Sequence, residues 1–344
     1  MRQNGVSEYR SELMAVSMFA ILLTHLKATF GVYALDRVAL LCQGGVDVFL
    51  FLSGFGLYYS GMKSDNPLRF YSKRFKRVFP PFWVVMLLTL WHIDKLRCAD
   101  VLWGGSTLAF WFQSTNKYSF GWFVSLIVVL YAVFPWFFRW FRRNPGIATL
   151  FGVGVGLVLT SLYVYRYQVV YPGGQNRFIL PAARVAIFFL GIYGAYWLEA
   201  KKGASVIVKH KEKLLFVLVA AVALLLLNLS LNAWGFRVMR NTGLFYWSYI
   251  LIIPGFLTVC VWMFRKMSCT RIGNASLKVL RYLGSCTLEA YLLIAVLYSY
   301  VPLVSRWLGV SPLVSNLMLL VATIAAAWLI HGAVFGIMRK ASLV

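Results

Sequence analysis

The chain has 344 residues, 61% of them hydrophobic, and its mean hydropathy is +0.74. Apolar runs recur along the whole length, which argues against a soluble globular protein and indicates a polytopic membrane protein. In a soluble protein the formal net charge of +24 would suggest a nucleic-acid partner, but here the cations lie between apolar runs. That placement favours membrane topology and anionic lipid heads, so we expect no nucleic-acid partner.

Ten apolar runs are each close to the length that a helix needs to cross a bilayer, which predicts an all-α membrane helix bundle. Their approximate bounds are 12–30, 38–60, 78–94, 119–138, 146–164, 179–198, 214–232, 244–264, 282–300 and 312–337. With the N-terminus inside, the inner segments hold 23 of the 34 lysines and arginines, the outer segments hold 10, and Arg184 lies inside a span. This bias predicts a multi-pass protein of the inner or plasma membrane with both termini inside.

We expect residues 1–344 to form a single membrane domain without a soluble domain. The segment 95–118 contains an apolar piece, 101–112, that is too short to cross and predicts an outer interfacial or re-entrant helix. The five cysteines show no zinc spacing, so no metal site is expected. Cys42 and Cys98 fall on the same predicted outer side, and the sequence leaves a disulfide between them open.

Glycines at positions 152, 154 and 156 resemble a dinucleotide loop only superficially, because they lie in the middle of an apolar span. Gly152 and Gly156 have the GxxxG spacing that allows two membrane helices to approach closely. We therefore predict a helix contact at this point.

The stretch 44–81 combines three features that the rest of the chain lacks in this order. An apolar run carries Asp47 and what we interpret as a small-residue turn at 53–56. A basic loop follows, and Pro80 and Pro81 open the next span. The loop holds six cations, Lys63, Arg69, Lys73, Arg74, Lys76 and Arg77. Cations just before the start of a helix can bind a phosphate group. Membrane topology alone would also place cations in an inner loop, so both explanations stay open.

Ionisable side chains within spans are functional-site candidates, because each must face other helices or water. His25 is the strongest chemical candidate, since an imidazole gains and loses a proton near neutral pH. Asp47, at a similar predicted depth in the next helix, could orient or charge-pair with it. The alternative for His25 is a hydrogen bond to a neighbouring helix with no chemical role.

Arg184 has three open assignments: an ion pair with Asp47, an ion pair with Glu289, or an anionic ligand. Glu289 needs a partner that the sequence does not name. His331 and His92 lie near the predicted interfaces, and we interpret both as structural.

Three segments resemble acyltransferase family 3, a family of membrane proteins. They are 10–25 (RSELMAVSMFAILLTH), which resembles the first helix, 45–60 (GVDVFLFLSGFGLYYS), the second helix, and 71–80 (YSKRFKRVFP), the basic entry to the third. Weaker similarities follow in the same order at 121–135, 184–191 and 283–292. The resemblance covers nearly the whole chain.

This resemblance implies transfer of an acyl group, usually acetyl, from cytoplasmic acyl-coenzyme A to a sugar hydroxyl. The expected acceptor is a surface polysaccharide or its lipid-linked precursor. Acetyl-coenzyme A would be a co-substrate, and no permanently bound cofactor is expected. By resemblance His25 matches the catalytic histidine, and Arg74 and Arg77, with Lys73 beside them, match residues near the coenzyme A phosphates.

The hypothesis for the chemistry is that His25 removes the proton from the acceptor hydroxyl, within a polar neighbourhood that includes Asp47. Arg184 or Ser53 would stabilise the oxyanion, and an acyl-histidine relay is the variant mechanism.

One position departs from the family pattern. Where the family has an arginine eleven residues before the histidine, this chain has Met14, and Arg10, one turn earlier, could reach the same region. A glycan-lipid transporter or flippase is an alternative, although it predicts paired inverted halves that the sequence does not show. An inactive assembly partner of a polysaccharide complex is the other alternative, and the sequence does not give the oligomeric state.

Overall fold

A computed structural model describes residues 5–25, 33–92, 97–112, 121–166, 178–201, 206–230 and 233–340. All regular structure within these ranges is helical, which confirms the predicted all-α class. Short 3-10 turns occupy Cys42–Gly44 and Tyr298–Tyr300. In chain order the α-helices are α1 (Gly5–Glu8), α2 (Arg10–His25), α3 (Tyr33–Leu41), α4 (Gly45–Lys63), α5 (Pro67–His92), α6 (Cys98–Gly105), α7 (Ala109–Phe112), α8 (Trp122–Arg143), α9 (Pro145–Tyr165), α10 (Ile179–Ala182), α11 (Val185–Ala200), α12 (Val206–Ser230), α13 (Ala233–Thr242), α14 (Leu244–Ser268), α15 (Arg271–Leu283), α16 (Thr287–Leu297), α17 (Val301–Leu308) and α18 (Pro312–Lys340).

Within the described ranges, seven helices are long and apolar enough to cross a membrane. They are Tyr33–Lys63, Trp122–Arg143, Pro145–Tyr165, Ile179–Ala200, His210–Ser230, Leu244–Ser268 and Leu313–Lys340. The broken pair α15 and α16 would make an eighth. The first predicted span, 12–30, continues past α2 into residues outside the described ranges. The count of ten spans and the orientation stay predictions.

The basic stretch before Pro80 is part of a helix, which corrects the predicted loop. Helix α5 begins at Pro67 and runs through Pro80 and Pro81. Asn66 caps it, because its side-chain oxygen accepts a hydrogen bond from the Arg69 amide at 3.1 Å. Proline suits the first helical position, where no amide hydrogen is needed. The cations from Arg69 to Arg77 therefore lie on a helix surface.

The expected small-residue turn at 53–56 is also wrong, since these residues lie inside α4. Gly54 is instead a point of helix contact. A Cβ atom built on Gly54 would lie 2.1 Å from the Phe188 carbonyl oxygen of α11. One built on Gly191 would lie 2.1 Å from the Phe51 carbonyl oxygen of α4. The absent side chains let the two helix backbones approach closely.

Two compact units emerge from the packing of the chain. The first comprises Met1–Ser17, Gly44–Asp65 and Phe134–Arg281. In this unit α11 packs on α4 and α9, and α12 packs on α14. The second comprises Met18–Gln43, Asn66–Val133 and Tyr282–Val344, and its helix α16 packs on α18 and α5.

The short apolar piece 101–112 forms two short helices, α6 and α7. Thr107 lies between them with φ of +65°, a conformation that interrupts a helix. Its carbonyl oxygen accepts a hydrogen bond from Ser125 Oγ at 3.0 Å, and the Gly105 carbonyl accepts one from Trp83 Nε1 at 3.0 Å. Cys42 and Cys98 are free thiols, so the disulfide that the sequence left open is not formed.

Two glycines on α9 offer a matched test of its packing. A Cβ atom at Gly152 would lie 2.4 Å from Phe189 Cγ, whereas one at Gly154 would meet nothing within 4 Å. We expect Gly152→Val to destabilise the detergent-solubilised protein by about 1–3 kcal/mol, because the valine overpacks the α9–α11 contact. Gly154→Val should leave the unfolding temperature within error. Equal unfolding temperatures for the two variants would contradict this packing.

Candidate active site

A buried ion pair lies at the centre of the first unit. Arg184, immediately before α11, places its Nε 3.1 Å from Asp47 Oδ1 on α4. The two side chains are 2% and 0% exposed. The Arg184 guanidinium also lies over the ring of Tyr246, 4.4 Å from the ring centre. Each charge is therefore compensated inside a helix bundle in which an isolated charge would be very costly.

This geometry decides between the two ion pairs that the sequence left open for Arg184, and an anionic ligand stays a prediction. Its partner is Asp47, and Glu289 is held elsewhere. Two buried side chains of opposite charge at this distance are consistent with a structural ion pair. Chemical roles for Asp47 and Arg184 stay predictions.

His25 is the last residue of α2 and lies in the second unit. Its Nδ1 atom is 2.8 Å from the Ile21 carbonyl oxygen and 3.3 Å from Thr24 Oγ1. Because a carbonyl oxygen only accepts hydrogen bonds, Nδ1 must carry the hydrogen. In the neutral ring Nε2 then carries the lone pair. The helix thus fixes the tautomer in which Nε2 is the basic atom.

An aromatic contact fixes the other side of the His25 ring. The Tyr298 ring lies edge-on to it, with 5.7 Å between the ring centres. Tyr298 follows directly after α16, so this contact joins α2 to the end of that helix. Asp47 belongs to the first unit and His25 to the second. The contact between them that the sequence suggested stays a prediction.

The second unit also contains an acid–imidazole pair that the sequence did not predict. His331 Nδ1 on α18 lies 2.7 Å from Glu289 Oε1 on α16. The side chain of Glu289 is 2% exposed and that of His331 is 27% exposed. This contact names the missing partner of Glu289. It also gives His331 a specific partner, and the side chain of His92 lies outside the described residues.

The predicted anion-binding residues lie on the first half of α5. Arg74 is half-buried, 5.5 Å from the ring centres of both Phe70 and Tyr131. Arg77 and Lys73 are exposed. Arg74 and Arg77 are three residues apart on α5 and are thus neighbours on the helix surface. The two rings hold one guanidinium in place while the adjacent cations face outward.

Arg10 and Ser53, the remaining candidates, lie on helices of the first unit. Arg10 Nε and Nη2 donate to the Leu52 carbonyl oxygen at 3.3 and 3.2 Å, against the open side of Gly56. Arg10 is thus engaged with α4, and Ser53 is half-buried one residue further along. The family has an arginine where this chain has Met14. That Arg10 takes the place of this arginine stays a prediction.

A further buried acid, Glu12, was missed at the sequence level because it lies at the predicted start of a span. It is fully buried, and Arg281 at the end of α15 donates to its Oε1 from Nε at 2.9 Å. The charges are 269 residues apart in the chain, and no local pattern connects them.

The buried pair leads to a double-substitution prediction. Asp47→Asn or Arg184→Gln alone should each cost about 3–5 kcal/mol, because the remaining charge is buried without its partner. The double variant should be less destabilised than the sum of the singles, by about 0.5–3 kcal/mol. Thermal unfolding in detergent measures this.

The exposed pair Asp65–Arg142 is the matched control, with 62% and 40% of the side chains exposed. Asp65→Asn and Arg142→Gln should each change stability by less than about 1 kcal/mol. Strictly additive effects of Asp47→Asn and Arg184→Gln would show that the two charges do not interact.

Comparison with protein families gives one result. A family model described as an acyltransferase domain, that of acyltransferase family 3, matches residues 13–332 of the chain. No curated protein and no solved structure matches the chain. The matched range includes α4, α5, α11 and α16, together with His25 and the Asp47–Arg184 pair. The length of the match confirms the resemblance seen in the sequence: this chain belongs to acyltransferase family 3.

Proposed function

We propose that this protein is an integral-membrane O-acyltransferase of a cell's inner or plasma membrane. It takes an acyl group, expected to be acetyl, from acyl-coenzyme A on the cytoplasmic side. It transfers that group to a hydroxyl of a surface polysaccharide or of its lipid-linked precursor. Family membership supports the acyltransferase activity, and the donor and acceptor are part of the proposal.

The observation that carries the proposal is the tautomer of His25. The Ile21 carbonyl oxygen accepts the Nδ1 hydrogen at 2.8 Å, so Nε2 has the lone pair that a general base needs. The Tyr298 ring restricts rotation of the imidazole. Every neutral imidazole has one such nitrogen, and in His25 the contact with its own helix makes it Nε2.

The proposed transfer is a single acyl exchange from sulfur to oxygen. The acceptor hydroxyl oxygen forms a bond to the thioester carbonyl carbon while His25 Nε2 takes the hydroxyl proton. The tetrahedral oxyanion collapses, the carbon–sulfur bond breaks, and the protonated imidazole returns the proton to the coenzyme A thiolate. The products are the acyl ester and free coenzyme A. The acyl-histidine variant would place the acyl group on Nε2 before the hydroxyl attacks.

The thioester also needs a site for its phosphates, and we assign this to α5. Guanidinium groups bind phosphate oxygens through paired hydrogen bonds. Arg74 is fixed by Phe70 and Tyr131, which reduces the entropy lost when a phosphate binds. Arg77 and Lys73, both exposed, supply further positive charge beside it.

The ion pair of Arg184 bears on its predicted role as an oxyanion donor. Arg184 already compensates Asp47 inside the first unit, and moving it would leave a buried carboxylate unpaired. We therefore propose that Asp47 and Arg184 hold α4 against the start of α11, and Ser53 stays the predicted oxyanion donor.

The first functional prediction concerns His25. In inside-out membrane vesicles supplied with radiolabelled acetyl-coenzyme A, His25→Ala should lower acyl transfer to glycan about 10²–10⁴-fold, because the general base is lost. His210→Ala is the control, since His210 is exposed on α12. Full transfer by His25→Ala would exclude both the base and the acyl-histidine mechanism. No transfer by the unaltered protein would favour the inactive assembly partner.

The second prediction separates donor binding from chemistry. Arg74→Gln and Arg77→Gln should each raise KM for acetyl-coenzyme A about tenfold and change kcat less, because each loses a charged contact to phosphate. Arg271→Gln, an exposed arginine on α15, is the control. An unchanged KM in both α5 variants would mean that these cations only set the membrane topology.

A further inference from the structure

We propose that the first unit carries a second phosphate-binding site, where α8 ends and α9 begins. Its residues are Arg139, Arg142 and Arg143. None of them belongs to the basic half of α5. The site does not rest on the proposed acyl transfer.

The corner contains an open cleft of about 380 Å³, lined by Asp65, Arg139, Arg142 and Arg143. Arg142 is held in a defined orientation at its edge. Its Nη1 and Nη2 atoms donate to Asp65 Oδ2, each at 3.1 Å, and its guanidinium lies 6.0 Å from the ring centre of Phe138. The cleft therefore has one fixed guanidinium and space beside it for a ligand.

The charges lining this cleft do not balance. Three guanidinium groups face one carboxylate, which leaves a net charge of +2. Arg139 and Arg143 are four residues apart on α8, a spacing at which like charges repel. Neither forms an ion pair with any residue in the described part of the chain. A dianion would remove this repulsion.

The start of α9 adds to the positive potential. This 21-residue helix begins at Pro145, two residues after Arg143, and the Asn144 side chain makes no capping hydrogen bond to it. Pro145 has no amide hydrogen, so the first amides that keep a positive partial charge are those of Gly146 and Ile147. Space around Gly146 is open, since a Cβ atom there would meet nothing within 4 Å. The residues that line the cleft lie on α8 and at Asp65, so the start of α9 contributes positive potential beside the arginines that would bind a phosphate.

The charge and the size of the cleft define the class of ligand. A phosphate monoester or a diphosphate has the charge that matches +2, and arginine forks bind its oxygens in pairs. The volume lies in the range of small-molecule sites. Membrane topology accounts for arginines at a helix end, but it does not require a cleft between them. The phosphate could belong to a soluble nucleotide or to an anionic lipid headgroup.

The test uses the full chain in nanodiscs and removes the other candidate phosphate site. All variants are made in an Arg74→Gln/Arg77→Gln background, so that binding to α5 does not contribute. One arm titrates adenosine 3′,5′-bisphosphate onto protein in phosphatidylcholine nanodiscs. The other arm adds phosphatidylglycerol and measures by native mass spectrometry how much of it the protein retains.

Two substitutions should act in opposite directions. Arg143→Gln should weaken binding of the probe about tenfold, because one charged contact is lost. Asp65→Asn should tighten binding severalfold, because the net charge of the cleft rises to +3. Arg271→Gln, an exposed arginine of the same unit outside the cleft, should leave binding unchanged.

Binding of the bisphosphate with this pattern supports the site and assigns a soluble ligand. Retention of phosphatidylglycerol with this pattern, without bisphosphate binding, supports the site and assigns a lipid. Absence of both, or binding that Arg143→Gln and Asp65→Asn leave unchanged, would overturn the inference. Either failure leaves the α5 assignment intact, because that assignment depends on KM in the parent protein.

Discussion

An arginine inside a membrane bundle must have its charge compensated, and in the first unit the partner is Asp47. The Arg184–Asp47 pair is fully buried, with 3.1 Å between Nε and Oδ1, and Tyr246 covers the guanidinium. No water is available in a bilayer core to replace either partner. The pair therefore fixes α4 against the start of α11. It forms because the two helices approach closely at Gly54 and Gly191, where even a methyl group would strike a carbonyl oxygen.

The second unit places its polar groups at both ends of α16. Glu289, near its beginning, holds His331 of α18, and Tyr298, just after its end, contacts the imidazole of His25. Glu289 and Tyr298 are nine residues apart, which corresponds to a helical rise of about 14 Å. Packing of α16 thus determines the surroundings of both histidines. Glu289 gives His331 the same tautomer as His25, so the choice of His25 as general base rests on its resemblance to the catalytic histidine of the family.

The composition and residue spacing of the sequence correctly predicted those features of the fold that depend on neighbouring residues. The all-α class follows from apolar runs of bilayer length, and the contact at Gly152 and Gly156 follows from their GxxxG spacing. The start of α5 was misplaced because Pro80–Pro81 was taken as a helix start, although Asn66–Pro67 carried the stronger signal of a cap followed by proline. The Glu289–His331 pair could not be predicted, because it depends on the register between two helices that no local pattern sets.

The proposed role of His25 as the general base of a glycan O-acyltransferase can be tested in cells. The most direct measurement is mass spectrometry of surface glycans from cells that have the gene intact, deleted, or carrying His25→Ala. We expect one acyl mass increment to disappear in both altered strains while the polymer is still made and exported. Accumulation of polymer inside the deletion strain would favour a transporter. An unchanged increment in the His25→Ala strain would contradict the role of this histidine.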